Sequence, residues 1–516
     1  MVIMYEVVVG AGPLSIEDVV GVARNNMRVA LDPRALVEVA ASRAIIDGLA
    51  SDPHPHYGIS TGFGALATTF IERDRRAQLQ LSLVRSHAAG VGDEVEREVI
   101  RSLMLLRLST LMTGRTGVRP VVCETYAAVL NAGITPIVRA YGSLGCSGDL
   151  APLAHCALVL LGEGEVRTAS GTQVSAAEAL ADAHIAPLDL QEKEGLALIN
   201  GTDGMLGHLC LAIADLRVLL TTADIVAAMS VEGLMGTDRV FAADLQRLRP
   251  HVGQAVSASN MASVLAGSPI VGSHAGPEDG RVQDAYSLRC APQVTGGARD
   301  TVMHAQHVAE IELASAIDNP VLTHDGRVES NGNFHGAPLA YVLDFLAIVS
   351  ADVASMSERR TDRFLDASRN QGLPPFLAHE AGVDSGLMIA QYTSAALVSE
   401  MKRLAAPASV DSIPSSAMQE DHVSMGWHAA RKLRLSVDAL ARVLAIELVT
   451  AARGVELRAP LRPCLTSDAL ISLLRESGVG GPGPDRYLGP ELAVAAELVS
   501  SGAVKNCATS VLPTLI

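Results

Sequence analysis

A chain of 516 residues that is 49% hydrophobic but only 3% aromatic has to build its core from aliphatic side chains, and its Ala and Leu content favours helix packing. A formal net charge of −16 argues against nucleic acid or an anionic membrane as partner, because both call for clustered Lys and Arg. Seven cysteines, an odd number without C-x-x-C spacing, predict free thiols in a reducing, cytoplasmic compartment.

The length exceeds one typical core, so two or more domains are expected: a smaller α-rich one over 1–200 and an elongated helical bundle with a C-terminal segment over 201–516. Met1 to Gly12 reads as a strand-like Val run without the basic stretch or cleavage site of a signal peptide. Two short helices follow over 15–50, one opened by Ser15 with Glu17 and Asp18, the next by Asp32-Pro33. Tyr57-Gly58-Ile59-Ser60-Thr61-Gly62-Phe63-Gly64 predicts a mobile loop, in which residue type alone makes Tyr57 a half-buried packing residue. Arg85-Ser86-His87 ends an amphipathic helix, where a histidine by itself is a cap or a solvated group. Residues 97–132 predict a helical hairpin split near Gly114 and Gly117.

The hairpin leads to Gly142-Ser143-Leu144-Gly145-Cys146-Ser147-Gly148-Asp149-Leu150-Ala151-Pro152-Leu153-Ala154-His155. From Asp149 onward a plain helix start suffices, with Asp149 as N-cap, Pro152 in the first turn and Leu150, Leu153, Ala154, Ala157, Leu158 and Leu161 as a buried stripe. The Gly-Cys-Ser-Gly before it is not explained that way, and it lacks the spacing of a G-x-S-x-G nucleophile elbow. Crowded glycines free the backbone. The Gly148 nitrogen could close a five-membered ring on the Cys146 carbonyl carbon, after which Ser147 could lose water.

A small hairpin is expected over 163–171, and Asn200 and Asp203 suit N-capping of a new helix. Apolar periodicity then predicts long helices over 202–250, 298–318, 334–360, 386–402 and 421–453. The most apolar stretch, Cys210 to Leu234, carries Asp215, Arg217, Asp224 and Glu232, which argues against an ordinary membrane span. Residues 267–280 predict a flexible loop. After it, Gln283, Tyr286 and Arg289 recur every third residue and would share one face of a helix or tight turn. Spacing alone makes that face a solvated one, although Arg289 suits bidentate carboxylate binding. His304, His307 and Glu310 have helical spacing, but no matching ligands elsewhere suggest a metal, and no catalytic metal is expected. Asp318-Asn319-Pro320 ends a helix, Thr323 to Arg327 forms a hairpin turn, and Phe334 in Asn331-Gly332-Asn333-Phe334-His335 reads as core. Ser409 to His422 is a polar loop whose Glu420 could serve the dipole of the helix beginning near Val423. Gly478 to Pro484 and a short helix near 490–500 carry no assigned chemistry.

The run Ser147-Gly148-Asp149-Leu150-Ala151-Pro152-Leu153 resembles the Ser-Gly-Asp-Leu-x-Pro-Leu signature of the aromatic amino acid ammonia-lyase family. That resemblance implies a 4-methylidene-imidazol-5-one (MIO) formed from Cys146-Ser147-Gly148, with no external cofactor. Most members have Ala where Cys146 stands, but only the backbone of that residue enters the ring. Tyr57 to Gly64 is similar to the family's active-site lid, which makes Tyr57 the candidate base for the substrate β-proton. At Ser86-His87, members acting on phenylalanine tend to carry Phe-Leu, those acting on tyrosine His-Leu, and those acting on histidine Ser-His. Gln419-Glu420-Asp421 likewise matches the histidine-acting members rather than the Asn-Gln-Asp of the others.

By the same resemblance Asn200 lies against the MIO ring, although Ile199 replaces a Leu, and many relatives carry Gln where Asp203 stands. Arg289 would hold the substrate carboxylate, Tyr286 and Gln283 would line the pocket, and Phe334 would face the prosthetic group. His87 and Glu420 would hold an imidazole. The expected reaction is L-histidine to trans-urocanate plus ammonia, in a homotetramer whose sites draw on several subunits. Two other readings stand beside it: a tyrosine or phenylalanine lyase or an aminomutase of the same family, and a noncatalytic helical scaffold whose Cys-Ser-Gly loop stays uncyclised.

Overall fold

A computed structural model describes residues 6–276 and 282–516. The Val run expected over 1–12 and the loop expected over 267–280 therefore lie partly outside the described residues. Among those residues the chain forms twenty α-helices and only short strands, the largest sheet having three. The mostly α fold follows from aliphatic stripes that need facing helices to bury them. Two compact units result. One gathers the described residues up to Ala214 with Gln306–Leu343 and Pro407–Arg431, and the other Asp215–Ala305, Asp344–Ala406 and Lys432–Ile516.

In the first unit Glu6–Val9 and Arg28–Leu31 pair in parallel around the helix Ile16–Asn25. Ser15 and Asp18 close a reciprocal capping box at its start, and Asn26 ends it in the left-handed region at φ 54. Asp32 accepts the Arg34 N–H to start Pro33–Ala50, which at 18 residues is longer than the short helix expected. The expected hairpin of helices is Arg97–Leu111 with Pro120–Asn131, and the expected strand hairpin is Glu165–Arg167 with Gln173–Ser175. Arg101, fully buried in the first of these helices, donates to Val22 O at 3.0 and 3.1 Å and to Leu130 O at 3.1 Å. A guanidinium there stays charged only because backbone carbonyls replace its water.

Asp149 departs from the expected cap. Its side chain makes no bond to its own helix, Leu150–Leu160; it accepts the Met205 N–H at 2.9 Å and the Ser143 hydroxyl at 3.0 Å. Met205 lies in the first turn of the 31-residue helix Asp203–Gly233, whose orphan N–H groups need acceptors. The carboxylate thus caps a helix distant in sequence. Asn200 and Asp203 are not that cap either: Asn200 Nδ2 donates to Asn319 O at 3.0 Å, and Asp203 lies 3.4 Å from the Arg107 guanidinium. Trp427, the single tryptophan, is fully buried, donates Nε1–H to Ala140 O at 3.0 Å and meets the His208 ring edge-on with centroids 4.9 Å apart.

Among the long helices, the one expected over 202–250 ends at Gly233, because Met235 turns to φ 54 and breaks the ladder. The one expected over 298–318 is Ala291–Leu313, so Asp318-Asn319-Pro320 lies beyond its end. The others are Ala337–Leu365, Met388–Leu404 and Gly426–Glu456. Within the loop expected over 267–280, Pro269–Gly272 makes one helical turn capped by Ser268. The helix Ala337–Leu365 is long and apolar enough to cross a membrane by length and composition, and 61% of its apolar window is buried inside the protein.

In the second unit buried acids are each gripped by several donors. Asp224 accepts from Arg299 at 2.7 Å and Asn260 at 3.0 Å, and Glu232 from Ser268 Oγ at 2.5 Å and the Cys464 N–H at 2.7 Å.

Burial pushes the Asp149 carboxyl up to about 7, against the opposing pull of the Met205 N–H and the Ser143 hydroxyl. The folded chain therefore binds a proton that the unfolded chain releases near pH 4, and the stability from this group is lost as pH rises from about 4 to about 7. Asp149→Asn keeps the acceptor for Met205 and removes the titration. Denaturation midpoints at pH 5 and pH 7.5 should fall less between the two pH values for the variant than for the parent protein; equal falls would contradict this assignment.

Candidate active site

The first unit contains a cavity of about 490 Å³ whose lining includes Tyr57, Gly64, His87, Ser147, Asn200, Asn319 and Glu420. The loop carrying Tyr57 is held by backbone bonds from Gly62 N to Thr69 O at 3.0 Å and from Ile71 N to Ser60 O at 2.9 Å. The Tyr57 hydroxyl accepts the Gly64 N–H at 3.3 Å. Burial raises the phenol above its ordinary range, the Gly64 N–H opposes this, and the negative charges of Glu420 and Asp318 add to it.

His87 closes the helix Arg76–His87, and its Nδ1 lies 2.9 Å from Leu83 O. A carbonyl only accepts, so Nδ1 carries the proton and Nε2 keeps its lone pair. Burial lowers the His87 pKa, with the Leu83 carbonyl opposing, and the ring is neutral at pH 7. Glu420 follows Ser416, Ala417 and Met418, three successive non-glycine residues at φ 48, 54 and 71. Each costs about 1–2 kcal/mol in that region. The strain is contained by the Ser415 N–H, which donates to Glu420 O at 2.8 Å. Burial raises the Glu420 pKa, and the Ser415 hydroxyl opposes it.

Ser147 is carried by a clamped loop. Leu144 O accepts the Met425 N–H at 2.9 Å, and Gly145 O accepts the Ser424 hydroxyl at 2.8 Å and the Gly336 N–H at 3.3 Å. Cys146 is buried against Val423 and Met425, which raises its thiol pKa by desolvation. Gly148 lies at φ 78 and bridges to Gly201, and the next residue, Asp149, donates its N–H to Gly201 O at 2.7 Å. A Cβ on Gly148 would overlap the Gly201 carbonyl, so the position excludes every side chain.

Asn200 is fixed from behind. Its carbonyl accepts from Arg107 Nη1 at 2.6 Å, and Arg107 Nη2 reaches Ile317 O at 2.8 Å. Its Oδ1 is buried without a hydrogen-bond partner. Beside this, Lys193 and Asp318, both buried, pair at 2.5 Å. Sequence reasoning missed Arg107, Lys193 and Asp318 as supports. The signal for Arg107 was a single cation inside the apolar run Leu103-Met104-Leu105-Leu106-Arg107-Leu108.

Not every expected residue joins this cavity. Phe334 is half-buried in the turn before Ala337–Leu365 and is not among the lining residues, while its neighbour His335 stacks on His422 with 3.1 Å between Nε2 and Nδ1. Gln283, Tyr286 and Arg289 belong to the second unit. There Gln283 is exposed ahead of the four-residue helix Tyr286–Arg289, and the Arg289 guanidinium carbon lies 4.6 Å from the centre of the Tyr286 ring. Arg289 Nε is buried without a partner, and its guanidinium makes no hydrogen bond or ion pair among the described residues. His304, His307 and Glu310 are exposed on Ala291–Leu313, and Glu310 accepts from Gln306 at 2.7 Å.

A profile of the family described as aromatic amino acid lyase matches residues 14–476. The chain belongs to the aromatic amino acid lyase family. It is similar to histidine ammonia-lyase from Streptomyces avermitilis, 62% identical over 508 residues covering 98% of this chain and 99% of that one. It is 64% identical to the Streptomyces griseus protein of the same name over 501 residues, 97% of each chain. Among solved structures, tyrosine aminomutase from Streptomyces globisporus matches with TM-score 0.92 at 36% identity over 98% of both chains. Histidine ammonia-lyase from Trypanosoma cruzi matches with TM-score 0.90, also at 36% identity, over 99% of this chain and 96% of that one.

Gly148→Ala should lower stability by about 2 kcal/mol or more, combining a left-handed φ with overlap against Gly201. Urea denaturation of the two proteins measures it, and an unchanged midpoint would mean that the Gly148–Gly201 approach is looser than described.

Proposed function

We propose that this protein eliminates ammonia from L-histidine to give trans-urocanate, the opening step of histidine degradation, using an MIO group made from its own Cys146-Ser147-Gly148. The observation that carries the reading is the meeting of Ser147 with His87 and Glu420 on one cavity. An imidazole offers an N–H to the free Nε2 lone pair of His87, and in its charged form a second donor to Glu420. A phenyl ring offers neither and leaves two half-buried polar groups unmatched by the substrate, a penalty that discriminates between substrates.

The residues present fit the prosthetic group. Gly148 has no side chain to obstruct its nitrogen, Cys146 needs to contribute only backbone, Ser147 and Asn200 line the cavity, and the Asn200 Oδ1 is buried without a hydrogen-bond partner. Asn200, backed by Arg107, would hold the group. When formed, MIO supplies an electrophile that improves the amine as a leaving group and acidifies the β-proton.

Tyr57 takes the β-proton. With its phenol raised, it is protonated at neutral pH in the free chain, and the Gly64 N–H is the contact that favours the phenolate. Arg289 binds the substrate carboxylate through its planar fork, which stacks on Tyr286 and makes no hydrogen bond or ion pair among the described residues. Gln283, Tyr286 and Phe334 shape the pocket, in a cytoplasmic homotetramer whose sites draw on more than one subunit, as the family resemblance implies.

The test is the mass of the peptide spanning Cys146 to Gly148, together with ultraviolet detection of urocanate on adding L-histidine. A deficit of two waters with urocanate formed is expected; no deficit in a folded protein would overturn the mechanism. Ser147→Ala should abolish the deficit and the activity while leaving the melting temperature in place. Glu420→Gln should lower kcat/KM for L-histidine by about ten- to a hundredfold, the range for a lost charge-assisted hydrogen bond; an unchanged value would remove Glu420 from the imidazole site.

A further inference from the structure

The helix Tyr286–Arg289 has four residues, too few to hold its own orientation, yet it carries the guanidinium assigned above to the substrate carboxylate. Within the second unit its Ser287 carbonyl accepts a hydrogen bond from Arg360 Nη1 at 3.1 Å. Arg360 is itself fixed. It is 2% exposed, and its other two nitrogens meet the Glu447 carboxylate in a fork, Nε to Oε1 at 2.5 Å and Nη2 to Oε2 at 2.9 Å. Glu447 is fully buried, and Ser230 donates a further bond to its Oε1 at 2.6 Å. The ion pair spends two of the three guanidinium nitrogens on Glu447 and leaves the third aimed at Ser287. At the other end of the segment, Asp284 Oδ2 accepts the Thr237 N–H at 2.7 Å. The turn bearing Tyr286 and Arg289 is thus tied down just ahead of it, at Asp284, and within it, at Ser287, by groups that do not line the candidate cavity.

We infer that Arg360, oriented by Glu447, is a positioning residue for the Arg289 carboxylate clamp. A buried ion pair contributes little net stability, and its retention is better explained by the geometry it imposes. Arg289 has no hydrogen-bond partner of its own among the described residues, so the direction of its fork depends on the backbone beneath it and on its stacking against Tyr286. This inference rests on the assignment of Arg289 to the substrate carboxylate.

The experiment is a double-mutant cycle of Arg360→Lys and Arg289→Lys, read as KM and kcat for L-histidine, with melting temperatures taken alongside. Lysine keeps the charge facing Glu447 but cannot make the fork and reach Ser287 in the same geometry. Arg360→Lys should raise KM roughly tenfold with a smaller change in kcat, and the double variant should be no worse than Arg289→Lys alone. Effects that multiply, or an unchanged KM in Arg360→Lys beside a raised KM in Arg289→Lys, would overturn the positioning role while leaving the clamp intact. An unchanged KM in Arg289→Lys would overturn the clamp itself, and the inference with it. If Arg360→Lys fails to fold, Arg360→Met with Glu447→Met removes both buried charges together and carries the same cycle.

Discussion

The close approach of Gly148 to Gly201 is the constraint on which the rest of the first unit depends. With no Cβ between them, the Asp149 N–H reaches Gly201 O, and the Asp149 carboxylate then lies against the start of Asp203–Gly233. One residue before Gly201, Asn200 is gripped through its carbonyl by Arg107 and through its side-chain amide by Asn319 O. A loop, a long helix and two separate segments are fixed relative to one another by a few backbone atoms. A side chain at position 148 would disturb all of these relations at once.

Long apolar stripes were legible because periodicity is a local property: Ala337–Leu365 and Met388–Leu404 lie within a few residues of where the pattern put them. The chain reversals near Gly114 and Gly117 were legible for the same reason. What could not be read is where a polar side chain spends its hydrogen bonds. Asp149 has the residue type and position of a cap for its own helix, and only the fold brings Met205 within its reach. Arg107 meets Ile317 across more than two hundred residues of chain, and no local pattern announces that. The end of the helix at Gly233 was a different failure, since Met235 takes a left-handed conformation that its type does not advertise.

The motifs drew attention to Tyr57, His87, Ser147, Asn200 and Glu420, and the fold brings those five to one cavity from five separate stretches of chain. Phe334, Gln283, Tyr286 and Arg289 come from equally dense motifs yet do not line that cavity. A motif specifies a residue's identity and near neighbours. It does not specify which surface the residue faces or whether a second copy of the chain is needed. The supporting charges show the same division. Lys193 with Asp318 and Arg107 with Asp203 are buried pairs that the sequence presents only as scattered single charges. Paired in this way they cost desolvation and return a fixed geometry for Asn200 and its neighbours.

The scarcity of aromatic residues gives the molecule a natural optical reporter. Its one indole, at Trp427, is bonded to Ala140 two residues before Gly142, and its ring and the Asp149 carboxylate both close on the same face of Gly204. Intrinsic fluorescence excited at the indole band therefore comes from the immediate surroundings of the glycine-rich loop and from nowhere else in the chain. The cyclisation proposed above would alter the surroundings of this indole, which makes the emission of the unlabelled protein a readout of that step that needs no substrate.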